Sequence, residues 1–312
     1  MPISWTHDTR SPRNGARGAA AAFVALGPDG VLSLLALLAV ATLIVRVDEL
    51  VVPLPTVLPY AVIGGVLVLT SALVQRSRRV VRVWIPFVFL YLCYRALRGV
   101  LLLIPDSAGR HAQLKAADEA LFGVSPAWWL EPYTTPWLTE LLAVAYATMF
   151  VLPTIVLVTL SLRGHERALR RAALALLVAF YLGFLVFLLV PAKSPDMVYE
   201  FATPLTGYGF YEASMLAWQR LQQITFDAFP SMHTAISTIA LVHAYRHGPL
   251  LWPSRPRAMF RAFLPCVVLL QIATLYLRQH YFVDLLAAWA LAPLSLGLAG
   301  RAQDAWDRLS PR

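Results

Sequence analysis

The sequence predicts an all-α fold, a polytopic membrane helix bundle of about eight transmembrane helices. Of the 312 residues, 59% are apolar and only 14% are charged, whereas soluble domains carry about 25% charged residues. The apolar residues also form runs close to the roughly 20 residues that a helix needs to cross a bilayer. Because lipid satisfies no backbone polar group, spans in an open chain have to be helical.

Helix breakers mark the limits of the apolar runs. Pro105, Pro136, Pro191 and Pro230 each stand at a boundary, as expected of a residue that punctuates helices. The eight predicted spans cover approximately residues 31–46, 54–74, 81–104, 137–162, 172–191, 230–246, 262–278 and 281–299. Residues 1–29 are polar and then alanine-rich, and we interpret them as a mobile basic tail rather than a signal peptide.

The distribution of arginine predicts which side of the membrane each loop faces. The formal net charge is +9, but the arginines cluster in short segments between apolar runs, which is typical of cytoplasmic loops rather than of nucleic-acid binding. Loops 75–82, 163–171 and 246–261 are then cytoplasmic, as are both termini. The long loops 105–136 and 192–229 lie outside, each with two basic and four acidic residues. We therefore expect an integral protein of a bacterial plasma membrane, with no nucleic-acid partner.

The first long outer loop is rich in aromatic residues. Trp128, Trp129, Tyr133 and Trp137 fall close together in it. They suit a segment that lies along the lipid headgroups, and an ordinary aromatic belt is an equally good interpretation.

Two histidine clusters are predicted to share one depth at the outer side. His233 stands at the start of span six, and His280 and Asp284 are four residues apart at the start of span eight. That spacing places two side chains on one face of a helix, and a carboxylate at this depth needs a partner. A hydrogen bond from one ring nitrogen of His280 to the Asp284 carboxylate would fix the tautomer of His280. His280 is therefore a candidate nucleophile, with His233 as its acid and base partner.

The residues around these histidines predict an anion-binding site. Ser231 and the backbone amides that follow it would face an anion at a helix N-terminus, and Arg278 offers a planar guanidinium for phosphate. Lys193, Arg95 and Arg98 are expected near the same outer end, and intramembrane arginines usually face the bundle interior or a wet cavity. Snorkelling to the headgroups is an alternative for Arg98, and a solvated loop charge is an alternative for Lys193.

A metal site is an alternative use of the same histidines and carboxylate. Neutral imidazole and carboxylate are good metal ligands, so His233, His280 and Asp284 form a possible set. The nearby arginines and lysine oppose a divalent cation and favour an anion. We therefore predict neither a metal nor an organic cofactor.

The two clusters resemble motifs of the type 2 phosphatidic acid phosphatase (PAP2) superfamily. Its second motif, Pro-Ser-Gly-His, corresponds to "PSMH" (230–233), and its third, ending His-x-x-x-Asp, corresponds to "HYFVD" (280–284). The bulky residue before the histidine, "LRQHYFVD" and "ADEALFGVSPAWWL" (117–130) are more similar to the inositol phosphorylceramide synthase-like branch. The first motif, Lys-x6-Arg-Pro, is absent, since Glu200 stands seven residues after Lys193, and Thr274 takes the place of the third motif's arginine.

The resemblance implies a domain organisation and a set of roles. A PAP2-like catalytic membrane domain of six helices would cover 81–299, after the tail of 1–29 and two helices within 30–80, and before a cytoplasmic tail of 300–312. His280 would become phosphorylated, Asp284 would orient it, and His233 would protonate the leaving group.

Two classes of function follow. The leading hypothesis is a membrane enzyme that transfers a phosphoryl-type group from a lipid phosphate or phosphodiester through a phosphohistidine. With water as acceptor it is a lipid phosphatase, and with an alcohol it is a phosphotransferase similar to an inositol phosphorylceramide synthase. The alternative is a non-catalytic lipid-binding protein or transporter, in which the same residues line a cavity or a proton path.

Overall fold

The structure of the protein, a computed structural model, describes residues 81–222 and 224–309. The expected tail of 1–29 and the two spans expected within 30–80 lie outside these residues. The helices in chain order are α1 (Val81–Leu101), α2 (His111–Phe122), α3 (Pro126–Trp129), α4 (Pro136–Leu162), α5 (Glu166–Leu189), α6 (Pro195–Val198), α7 (Phe210–Gln222), α8 (Met232–Arg246), α9 (Gly248–Leu251), α10 (Ala258–Tyr276) and α11 (Phe282–Leu309). The described part contains no β-strand beyond an isolated bridge between Ala192 and Asp227.

Four of these helices, α4, α5, α10 and α11, are long and apolar enough to cross a membrane. They confirm the all-helical prediction and the membrane-spanning character of the chain. Helix α8 has 15 residues, about 22 Å at 1.5 Å per residue, which is shorter than the roughly 30 Å hydrocarbon core. The predicted total of eight transmembrane helices is therefore not confirmed.

Helix α8 lies at the centre of the bundle. It packs against α4, α5, α10 and α11, and ten of its fifteen residues are buried. Ala235, Ser237, Ala240 and Ala244 are among them, and small residues of this kind let neighbouring helix backbones approach closely. The central position of α8 places His233, in its first turn, inside the bundle rather than in a surface loop.

The last helix is longer than the sequence predicts. Residues 300–309, expected to belong to a tail, continue α11. Asp304 lies 2.9 Å from the guanidinium of Arg171 and 3.2 Å from that of Arg167 at the start of α5, and the side chain of Trp306 is buried. The ion pairs with α5 stabilise the helix beyond the end of the apolar run. Hydropathy did not predict this extension because residues 300–309 are largely polar.

Loops and short helices cover the other end of the bundle, which we call the histidine end, where α8 begins at Met232 and α11 begins at Phe282. Helix α2 packs on α11 there, and Arg110 donates its backbone N–H to Pro191 O at 2.7 Å. The segment 207–211 is tied to α4 because Glu140 accepts the amides of Tyr208, Phe210 and Tyr211 at 2.8–3.0 Å. The long connections between helices therefore form an ordered cap over this end.

Candidate active site

The starts of α8 and α11 are joined directly through the backbone. Ser231 donates its N–H to Asp284 O at 3.1 Å, and its side chain caps α8 by accepting the Thr234 N–H at 3.3 Å. The same hydroxyl donates to Thr234 Oγ1 at 3.1 Å. The structure thus brings the two predicted motifs together, with Ser231 as the cap of α8.

His280 is held by two acceptors on one ring nitrogen. Its Nδ1 lies 2.8 Å from Ala228 O and 3.3 Å from Asp284 Oδ2. A carbonyl oxygen only accepts, so Nδ1 carries the hydrogen and the neutral ring keeps its lone pair on Nε2. His280 precedes α11, which begins at Phe282, so the pair does not lie on one helical face as the spacing suggested. Instead, Asp284 reaches back and also accepts the Tyr281 N–H at 2.8 Å.

The second histidine faces the first across a short gap. The ring centroids of His233 and His280 are 5.8 Å apart, and both side chains are buried, at 6% and 5% exposure. The ring of Tyr146 on α4 stacks on His233 at 3.9 Å with an interplanar angle of 21°. Stacking of this kind limits the rotation of the His233 ring and keeps it directed toward the same space as His280.

Both histidines line a cavity of about 870 Å³. Its polar end also includes Arg278, Asp196 and Asp227. Burial raises the pKa of Asp196, an effect that hydrogen bonds from Ser194 and Gln279 oppose. Charged groups therefore gather at the histidine end of the cavity.

The rest of the cavity wall is mostly apolar and aromatic. It follows α1, α4 and α5 away from the histidines. Tyr91 on α1 and Phe150 on α4 belong to this wall and are about half exposed at the surface of the bundle, at 52% and 51%. Helices α1 and α4 both pack on α5 and make few close contacts with each other. Within residues 81–222 and 224–309, the cavity wall therefore reaches the surface between α1 and α4.

Of the four basic residues predicted to bind phosphate, Arg278 lines the cavity. Its Nη2 donates to Thr203 O at 2.6 Å, and its guanidinium lies 3.8 Å from the ring centroid of Phe201 and 4.0 Å from Glu131 Oε1. Burial lowers the pKa of Arg278, and the charge of Glu131 opposes this effect. Arg278 also has a φ of 62°, a left-handed conformation that turns the chain sharply just before His280.

The other three basic residues are placed differently. Lys193 donates to Asp106 Oδ2 at 2.8 Å and lies over the ring of Phe226. Arg98 is half-buried in the last turn of α1. Arg95 lies within α1, and its side chain is outside the part of the chain that the structure describes.

Sequence reasoning missed several residues of this region. Tyr146 stacks on His233 from a helix that carried no polar motif, and Tyr94 donates to Asp227 Oδ2 at 3.3 Å. Asp118 accepts the backbone amides of Phe282 and Val283 at the start of α11. Of Tyr146, Tyr94 and Asp118, only Asp118 lies in a stretch that the sequence analysis had singled out, "ADEALFGVSPAWWL".

No three His, Cys, Asp or Glu side chains of residues 81–222 and 224–309 are arranged to hold a metal ion. The histidine end of the cavity combines two facing imidazoles with the guanidinium of Arg278 and the carboxylates of Asp284, Asp196 and Asp227. This combination, in a bundle with four helices long and apolar enough to cross a membrane, is that of an integral membrane protein with a polar cluster at one end of an apolar cavity.

Comparison with known proteins identifies the family. A sequence model of the PAP2 superfamily matches residues 112–298, more than half of the chain, and the chain belongs to this superfamily. A PA-phosphatase related-family protein of Dictyostelium discoideum is 30% identical over 116 residues, which cover 35% of this chain and 19% of that protein. The match thus spans about a fifth of the length of this relative. No solved structure matches the chain.

Proposed function

We propose that the protein is an integral-membrane lipid phosphatase or phosphotransferase that works through a phosphohistidine at His280. The observation that carries the proposal is the pair of facing rings, 5.8 Å apart, with Nδ1 of His280 fixed by Ala228 O and Asp284. Membership of the PAP2 superfamily supports a phosphatase-type activity. The finer assignments, to the histidines and to the inositol phosphorylceramide synthase-like branch, are part of this proposal.

In the first step, Nε2 of His280 attacks the phosphorus of the substrate. A P–N bond forms, the P–O bond to the leaving group breaks, and His233 donates a proton to the departing oxygen. A reacting phosphorus lies about 3–3.5 Å from its nucleophile, and a general acid lies within about 2.6–3.2 Å of the oxygen it protonates. Two rings with centroids 5.8 Å apart can both reach one phosphoryl group at these distances.

In the second step, the phosphohistidine is resolved by an acceptor hydroxyl. His233, now neutral, removes a proton from water or from an alcohol, whose oxygen attacks the phosphorus. The new P–O bond forms, the P–N bond breaks, and His280 regains its lone pair. Water gives hydrolysis and an alcohol gives transfer, for which the branch resemblance is the supporting observation.

The cavity supports a lipid as the donor. Its wall follows α4 from Tyr146 to Leu157, about 16 Å at 1.5 Å per residue, and is mostly apolar. A lipid tail entering between α1 and α4 would lie along this wall, with its phosphate at the histidine end. The arginine distribution supports an extracytoplasmic position for that end and cytoplasmic termini.

Arg278 is the proposed phosphate ligand at the polar end of the cavity. Its guanidinium lines the cavity while one nitrogen donates to Thr203 O, which leaves other donors of the fork for a phosphate oxygen. Catalysis of phosphoryl transfer depends mainly on positioning and charge neutralisation. The Arg278 guanidinium, which lines the same cavity as the two imidazoles, supplies that charge.

The test uses purified full-length protein in lipid vesicles that contain a radiolabelled lipid phosphate. We expect labelled phosphate in solution and acid-labile label on the protein, both lost in His280→Ala and both retained with a metal chelator present. His247→Ala, at the opposite end of α8, serves as the matched histidine control. Wild-type protein that neither releases nor binds label from several lipid phosphates and phosphodiesters, with or without added alcohols, would refute the proposal.

A further inference from the structure

Helix α2 contacts three of the segments that build the histidine end. Leu114 on α2 is buried with Ala192, Ala228 and Tyr281 in one apolar cluster. Ala228 supplies the carbonyl that fixes His280, and Tyr281 follows His280 in the chain. Helix α2 therefore packs directly on the backbone around the proposed nucleophile.

Asp118 connects α2 to the first turn of α11. Its Oδ2 accepts the Phe282 N–H at 2.8 Å and its Oδ1 accepts the Val283 N–H at 3.0 Å. Asp118 has no exposed surface. The first amides of a helix have no partner within the helix, and a negative charge at this end is favourable. Asp118 thus supplies the cap of α11 from a position 164 residues earlier in the chain.

The carboxylates of Asp284 and Asp118 accept hydrogen bonds from different backbone amides at the start of α11. Asp284 Oδ2 accepts the Tyr281 N–H and lies 3.3 Å from Nδ1 of His280, while Asp118 takes the next two amides. Without Asp118, the part-buried amides of Phe282 and Val283 would need another acceptor. Asp284 is the nearest carboxylate on the same turn, and its Oδ1 has no hydrogen-bond partner among the described residues.

We propose that Asp118 is a positioning residue: by capping α11 it keeps the Asp284 carboxylate directed at His280. This inference rests on the proposed function of His280 as the nucleophile. Asp118 acts through Asp284 and does not touch the substrate. Its loss therefore slows phosphorylation of His280 and leaves binding of the lipid almost unchanged.

The experiment measures phosphorylation of the protein by labelled lipid phosphate in single-turnover mode. The amplitude of protein labelling gives the fraction of protein with an assembled site, and the rate constant of labelling gives the reactivity of that site. Asp118→Ala is expected to lower the rate constant by about 10- to 100-fold, the scale of a small misplacement of a reacting group, with little change in amplitude or in KM. Asp118→Asn keeps one acceptor oxygen and should fall between Asp118→Ala and wild type. Glu119→Gln, on the exposed side of α2, is the matched control and should behave as wild type.

A double-mutant cycle with Asp284→Asn separates positioning from folding. If Asp118 acts through Asp284, Asp118→Ala should cost much less in the Asp284→Asn background than in wild type, because residues in one network are not additive. Additive losses, a wild-type rate constant in Asp118→Asn, or a loss of amplitude alone would each overturn the proposal. Absence of a His280-dependent phosphoprotein in wild type would instead refute the proposed function.

Discussion

The assignment of different roles to His233 and His280 predicts different responses to the leaving group. In the proposed mechanism, His280 forms the covalent bond, so no substrate bypasses it. His233 protonates the departing oxygen in that mechanism, so its contribution shrinks when the leaving group departs easily as an anion. The two rings lie close together, but their planes are inclined to each other by 58°. The two substitutions should therefore be distinguishable by chemistry alone.

The magnitude follows from the role of a single positioned acid. General acid catalysis contributes about 10²–10⁴-fold, or roughly 2.7–5.4 kcal/mol at about 1.36 kcal/mol for each tenfold. His233→Gln keeps a side chain of similar length against the ring of Tyr146 and removes the acid. With a lipid phosphate whose leaving group is an alkyl alcohol, turnover should fall by this full factor. With an aryl phosphate whose leaving group is a nitrophenolate, most of the loss should disappear.

The assay compares kcat of the two variants on both substrates, with protein amounts normalised by folded fraction in detergent. His280→Ala should be inactive on either substrate, because the P–N intermediate never forms. His247→Ala should match wild type on both. Equal recovery of His233→Gln and His280→Ala on the activated ester would refute the division of roles, and so would an unrecovered loss in His233→Gln.

Three further substitutions test separate parts of the structure. Asp284→Asn should lower kcat by less than roughly 10⁴-fold, the loss seen when the carboxylate of a catalytic triad alone sets the histidine tautomer. The loss is smaller because Ala228 O also accepts a hydrogen bond from Nδ1 of His280. Steady-state kinetics measure the change, and a larger loss would contradict a shared role for Ala228 and Asp284. Leu157→Trp, in the cavity wall, should raise KM for long-chain lipid phosphates and spare short-chain ones, and an equal effect on every chain length would count against tail binding along α4. Gly248→Ala places a Cβ against a backbone carbonyl and should cost about 1–3 kcal/mol as overpacking does. Gly297→Ala, where no atom of the described residues lies within 4 Å of the added Cβ, is the control, and equal thermal unfolding midpoints for the two would contradict that reasoning.

The sequence predicted the convergence of His233 and His280 better than the positions of the basic residues. The arginine pattern and the apolar runs placed His233 and His280 at one depth, and the structure brings their rings within 5.8 Å. The apolar runs and the count of charges in each loop predict how deep a residue lies in the membrane, and depth was sufficient to predict that the two histidines lie close together. The helical reading of the His280–Asp284 spacing was incomplete, because α11 begins only at Phe282.

The placement of the charged partners depended on contacts that no local pattern encodes. Lys193 pairs with Asp106, 87 residues away, and Asp118 caps a helix 164 residues away. Tyr146 reaches His233 from the middle of an apolar helix. Each of these contacts depends on how distant segments fold over the histidine end. Sequence spacing predicts only which residues are neighbours within a single helix or loop.

The division of the cavity into a polar end and an apolar wall separates binding from chemistry. Burial of a lipid tail along α4 contributes about 0.8 kcal/mol for each CH2 removed from water. The tail does not change between ground state and transition state, so this energy lowers KM without raising kcat. In the proposed mechanism, the interactions that change during the reaction are confined to the histidine end, where Asp284, His280 and His233 lie. Substitutions in the wall should therefore appear in KM and those at the histidine end in kcat. A wall variant such as Leu157→Trp that lowered kcat at saturating lipid would show that the tail also positions the phosphate.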